Sequence, residues 1–134
     1  MTYMLDSVII YYILKGRPTI VKKYLRDALE DGHKVAISTV VSMELFESAK
    51  KVGSKELESA IEQLLDYFDV LPYDVEAQKQ YIYLLEYAKS RRLRVDTLDL
   101  QLVAHTITVD GILVTGEVSR YSKIEGVRVE DWTI

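Results

Sequence analysis

Four carboxylates far apart in this chain, Asp6, Glu44, Asp99 and Glu117, are the residues whose types and positions could do chemistry together. Each falls at or near the end of a strand-like segment. Asp6 terminates Tyr3-Met4-Leu5-Asp6, and Glu44 follows the strand Lys34 to Ser38 by one to two helical turns. Asp99 starts the helix that precedes Ile112-Leu113-Val114-Thr115, and Glu117 lies two residues past Thr115. In an open α/β sheet, ligands bind in the crevice beyond the carboxyl ends of the strands. Acids meeting there repel: two carboxylates about 5 Å apart cost roughly 3 kcal/mol at an effective dielectric near 20. A cluster of four therefore asks for a cation. Oxygen ligands without His or Cys select Mg2+ or Mn2+ over zinc. Such an ion can activate water and steady the leaving oxygen of a phosphodiester.

Each acid also has a plainer role to weigh. Asp96 has the short acceptor side chain of an N-cap, and Asp99 stands at capping-box spacing with Asp in place of Glu. A carboxylate in that first turn complements the helix dipole with no further role. Glu47 competes with Glu44 on the same helix, Glu117 alone reads as a solvated loop acid, and Asp110-Gly111 reads as a turn. Asp6 is the hardest to explain structurally, because an unpaired acid in a buried strand is costly. His105 lies six residues past Asp99, about 240° around a helix and roughly 9 Å along it. It groups with Gln101 and Thr108 as a polar stripe, not with the acids. His33 follows Gly32 and reads as a solvent-exposed loop residue. Arg91, Arg92 and Arg94 form a basic loop, either solvated or guiding phosphates. Tyr83 and Tyr87, four apart, read as core or interface packing, with base stacking as the alternative.

Apolar periodicity and breakers give the elements that must position the acids. Ser7 to Lys15 is apolar and aromatic until Gly16 and Pro18 break it. Thr19 to Asp31 predicts a helix with Val21, Leu25, Ala28 and Leu29 inward and Gly32 as its stop. Ser38 or Thr39 caps a helix running to about Lys51, and Gly53-Ser54 breaks and recaps the chain. Leu57, Ile61, Leu64 and Phe68 then recur at helical spacing. Val70-Leu71-Pro72 is a third short strand, and Asp74 caps a long helix. Asp96 opens a helix to about Val109, Gly116 to Glu125 is polar with room for a short helical turn, and Val127 to Trp132 alternates as a sheet-edge strand. Short strands separated by helices predict an α/β fold: a short parallel sheet of about five strands with helices on both faces.

The 134 residues fit a single domain, 1–134, long enough to bury a core without staples. Cysteine is absent, which excludes disulfides and thiolate chemistry. No apolar run approaches the roughly 20 residues of a membrane span, and the N-terminus enters a strand with no leader-like segment. The expected setting is cytoplasmic, with no membrane partner. A net charge of −4 argues against holding nucleic acid by bulk positive charge. It leaves room for a nucleic-acid enzyme whose positive charge comes from bound metal.

Five pieces carry a family resemblance: Met4-Leu5-Asp6-Ser7, Ile37-Ser38 through Met43-Glu44-Leu45, Leu71-Pro72-Tyr73-Asp74, Thr97-Leu98-Asp99-Leu100 through Ala104-His105, and Leu113-Val114-Thr115. In this order, and across almost the whole chain, the sequence resembles PIN-domain ribonucleases, specifically the VapC-type toxins of toxin–antitoxin pairs. The resemblance implies a PIN-like three-layer sandwich and metal-dependent endonucleolytic cleavage of RNA. It further implies a cognate small antitoxin protein whose helix fills an apolar groove, and a homodimer. The family's acids map onto Asp6, Glu44, Asp99 and Glu117 as catalytic ligands of Mg2+ or Mn2+. Its small hydroxyl residues map onto Ser7 and Thr115, which would orient ligands or a scissile phosphate. Two positions depart from the pattern. Ser7-Val8 stands where the family has Thr-Asn, and valine cannot supply the hydrogen bonds of asparagine. Glu117 is a methylene longer than the usual Asp or Asn, on a loop that Gly116 loosens. These departures sustain a different-class reading, a catalytically impaired PIN fold acting as a binding or regulatory module. A phosphoacceptor receiver domain fits poorly, since the first strand ends in a single acid and Asp131 to Ile134 contains no Lys.

Overall fold

The computed structural model describes residues 1–134 as five strands and seven helices. In order these are β1 (Thr2–Leu5), α1 (Ser7–Lys15), α2 (Thr19–Glu30), β2 (Lys34–Ser38), α3 (Thr39–Val52), α4 (Lys55–Leu65) and β3 (Asp69–Leu71). The second half holds α5 (Val75–Ser90), α6 (Thr97–Thr108), β4 (Ile112–Thr115), α7 (Val118–Tyr121) and β5 (Arg128–Asp131). All strand pairs are parallel, and the sheet order is β3-β2-β1-β4-β5.

That order fixes where a site can form. The chain steps outward from β1 through β2 to β3, then crosses back to β4 and β5 on the other side of β1. Right-handed crossovers put α1 to α4 on one face and α5 and α6 on the other. Successive strand residues point to opposite faces, so the complete burial of Met4 and Leu5 in β1, and of all of β4, shows both faces covered. The direction of winding reverses between β1 and β4, which opens a crevice beyond their carboxyl ends. The α/β sheet expected from the sequence is what forms.

Local chemistry sets the helix starts. Ser38, Ser54, Asp74 and Asp96 each accept a backbone N–H of the first turn, as N-caps should. Two details differ from the sequence reading. Asp6 does not end the strand but caps α1, its carboxylate accepting Ile9 N–H at 2.9 Å, while its own N–H still reaches Val114 C=O at 3.1 Å. β3 stops at Leu71, because Pro72 has no N–H to give a ladder.

The core gathers β1, β2 and β4 with Ile9 and Ile10 of α1, Val41 and Leu45 of α3, and Leu100, Val103 and Ala104 of α6. Burying one such Leu or Ile contributes about 1.5–3 kcal/mol. The same packing sets α1 against α3 and α3 against α6. Their first turns therefore surround the crevice.

Candidate active site

A cavity of about 180 Å³ lies beyond the end of β1, lined in part by Asp6, Ser7, Glu44, Asp99, Arg120 and Tyr121. Three of the four sequence-predicted acids thus share one space, delivered by the N-cap of α1, the second turn of α3 and the first turn of α6. Asp6 is only 5% exposed. Burial pushes its carboxyl up to about 6, and the charges of Glu117 and Glu44 push the same way, against the Thr115 hydroxyl and the Ile9 N–H. The pocket is therefore short of positive charge.

The fourth acid is placed differently. Glu117 is exposed and does not line the cavity. It is tied to the site through Arg120, whose Nη1 donates to Glu117 Oε2 at 2.8 Å and whose Nε donates to Asp99 Oδ2 at 2.6 Å. The Tyr121 hydroxyl donates to the other Asp99 oxygen at 3.2 Å. Burial, with the charges of Asp99 and Asp6 behind it, raises the Tyr121 phenol above its ordinary value, so it stays a donor. Bonds to Glu117 and then Asp99 raise the Arg120 guanidinium likewise. Asp99 does not reach back to the cap backbone as a capping box requires. Asp96 alone caps α6, accepting the N–H groups of Leu98 and Asp99.

Thr115 is buried behind the pocket. Its hydroxyl accepts Glu117 N–H at 3.0 Å and lies near enough to the Asp6 carboxylate to oppose the rise in its pKa. Ser7 lies on the wall, beside Val8. Gly116 does not loosen the loop: a Cβ there would stand 3.0 Å from Thr133 Cγ2, so glycine permits close packing on the C-terminal segment.

The donor set of the cavity is all carboxylate oxygen, which suits a hard divalent ion. The acids face a common space but do not form a tight cluster of three ready ligands. The residues that would hold an ion are Asp6, Glu44 and Asp99.

Other candidates fall outside. Glu47 points to solvent and pairs with Lys51 at 3.3 Å. His105 is not part of an exposed polar stripe; it is 2% exposed, with Nδ1 2.7 Å from Ser38 Oγ. Burial lowers its pKa against the pull of Asp74, and it does not line the cavity. His33 is half-buried against the Tyr3 ring, not free in solvent. Arg91 stacks on Tyr87 with its guanidinium 4.4 Å from the ring centroid, and the basic loop does not line the cavity. Tyr83 is exposed, which excludes the core as its place. Asp110 is the turn residue expected, at φ 52°.

Sequence reading missed Arg120 and Tyr121. Their signal lay in spacing: Arg120 stands three residues after Glu117, an ion-pair distance only if the polar stretch turns as a helix. α7 supplies that turn.

The PIN domain family pattern matches residues 3–123. Ribonuclease VapC1 of Haemophilus influenzae strain R2866 is 28% identical over 136 residues, covering 99% of each chain. The tRNA(fMet)-specific endonuclease VapC of Shigella flexneri is 30% identical over 132 residues, covering 98% of each. Among solved structures, VapBC-1 from nontypeable Haemophilus influenzae superposes with a TM-score of 0.86 at 27% identity over 100% of both chains. VapBC2 from Rickettsia felis, bound to a DNA fragment from its promoter, gives 0.90 at 24% identity, covering 98% of this chain and 99% of that one.

Proposed function

This chain belongs to the PIN-domain family, and from that premise we propose that it is a VapC-type toxin, an endoribonuclease that hydrolyses RNA phosphodiesters with a carboxylate-held Mg2+ or Mn2+. The observation that carries the reading is one cavity at the switch point of the sheet that collects Asp6, Glu44 and Asp99 from three separate helix starts. Nuclease relatives of matching length support the substrate class.

The residues divide the work. Asp6, Glu44 and Asp99 would hold the ion, with Glu117 adding negative charge beside the cavity. A divalent ion there would supply Lewis acidity toward phosphate and water. Thr115 holds the backbone of Glu117 and favours the charged form of the neighbouring Asp6 carboxylate. Tyr121 orients Asp99. Ser7 lines the cavity, which supports a role for its hydroxyl in orienting a ligand or a scissile phosphate. Hydrolysis adds water across one P–O bond, so the site needs no redox partner.

The remaining calls follow the same relatives. Solved relatives are VapBC complexes, which supports a cognate small antitoxin as the partner; we further infer that it covers this site and that the toxin is a homodimer acting in the cytoplasm. No helix is long and apolar enough to cross a membrane.

The test is cleavage of single-stranded RNA with Mg2+ or Mn2+, against chelator and against Asp99→Asn. Divalent-dependent cleavage that falls by at least about 100-fold in Asp99→Asn, with the fold retained, is expected. Intact RNA under every divalent condition, with a folded chain, overturns it. One observation favours the second reading, a catalytically impaired binding module: Arg120 already engages Asp99. Tight partner binding together with intact RNA is its signature.

A further inference from the structure

The acidic pocket already contains a cation that belongs to the chain. Arg120 bridges Asp99 and Glu117 with two short charged hydrogen bonds, and its side chain forms part of the cavity wall shared with Asp6 and Glu44. Arginine stays charged at any working pH. Counting Glu117, which lies outside the cavity but shares the guanidinium, four carboxylates and one guanidinium leave a net charge of −3. One divalent ion reduces that to −1, whereas two invert it before an anionic substrate arrives. The oxygens a second ion would use, Asp99 Oδ2 and Glu117 Oε2, are the ones Arg120 occupies. The remaining Asp99 oxygen takes the Tyr121 hydroxyl, and Asp6 and Glu44 line the same cavity without pairing with Arg120.

We propose that Arg120 takes the place of one divalent ion, so that the pocket binds one ion fewer than its acids would hold without the guanidinium. The inference rests on the reading of this pocket as a metal site. Arg120 acts here as a positioning residue: it neutralises the Glu117 side of the pocket and holds Asp99 in a fixed orientation. Arg120 is itself exposed, while α7 is anchored in the core by the buried Tyr121, so substituting Arg120 leaves the buried core intact.

The experiment is a Mn2+ titration of the metal-free full chain. Bound ion is counted by calorimetry and by the electron paramagnetic resonance signal of free Mn2+, for the native chain, Arg120→Gln and Arg120→Lys. Thermal melts in chelator confirm that each variant is folded. Arg120→Gln is expected to bind one Mn2+ more per chain than the native protein. Arg120→Lys, which keeps the cation, is expected to retain the native number. Equal, non-zero stoichiometry in the native chain and Arg120→Gln overturns the role of Arg120 while the metal site stands. An extra ion in Arg120→Lys overturns it too. No Mn2+ bound by any of the three overturns both this inference and the metal-nuclease reading beneath it.

Discussion

Asp6 shows how the site sets function against stability at a single residue. It caps α1, which any Asp or Asn would do, yet it does so as a buried acid beside other acids. Its folded-state carboxyl titrates at about 6, above the ordinary unfolded value near 4. The folded chain therefore binds this proton more tightly than the unfolded chain. The penalty for carrying the charge is absent below about pH 4, grows between 4 and 6, and is complete above 6, with a ceiling of about 3 kcal/mol. Asp6→Asn keeps the cap acceptor and removes the charge. In chelator it is expected to raise the unfolding free energy by about 1–3 kcal/mol at pH 7.5 and to leave it nearly unchanged at pH 4. Urea melts at the two pH values check this; an equal effect at both, or a loss at pH 7.5, contradicts it. The same substitution is expected to abolish RNA cleavage, so stability and activity move in opposite directions.

At the scale of elements, the site depends on α3 and α6 keeping their spacing, since one carries Glu44 and the other Asp99. The buried bond between His105 of α6 and Ser38 at the start of α3 joins them. Ser38 also caps α3 through Val40 N–H at 3.1 Å. Ser38→Ala removes the cap and strands a buried imidazole nitrogen, so a loss of about 2–4 kcal/mol is expected by denaturant melt. A loss under 0.5 kcal/mol would show that the pair does not fasten the two helices. This link also marks the limit of what was legible. The caps at Ser54, Asp74 and Asp96 and the breaks at Gly53 and Asp110 follow from local rules and stand where the residues placed them, whereas β3 forms one residue earlier than read, at Asp69–Leu71, and is largely exposed. His105 read as part of a polar stripe because a partner 67 residues away leaves no trace in helical periodicity. Arg120 and Tyr121 were hidden for a similar reason: a four-residue helix is too short to show a pattern, so its meeting with Asp99 is purely tertiary.

For the whole molecule, the winding reversal between β1 and β4 explains why acids from opposite halves of the chain meet. Asp6 and Glu44 come from the first half and Asp99 from the second, and only the return crossover from β3 to β4 brings them together. Composition cannot show this, and a net charge of −4 points away from nucleic acid. A divalent ion held there would reconcile the two by supplying the missing positive charge where the acids converge. Binding to the folded chain alone adds stability by mass action, about 2.7 kcal/mol at one hundred times the dissociation constant. Mn2+ is thus expected to raise the melting temperature of the native chain and to do so much less in Asp99→Asn; an equal rise in both contradicts a shared site. The most direct measurement is anomalous diffraction from Mn2+-soaked crystals of the native protein. The account predicts a peak in the cavity within coordination distance of Asp6 and Asp99. Well-ordered carboxylates with no peak between them, at a Mn2+ concentration that supports RNA cleavage, would contradict it.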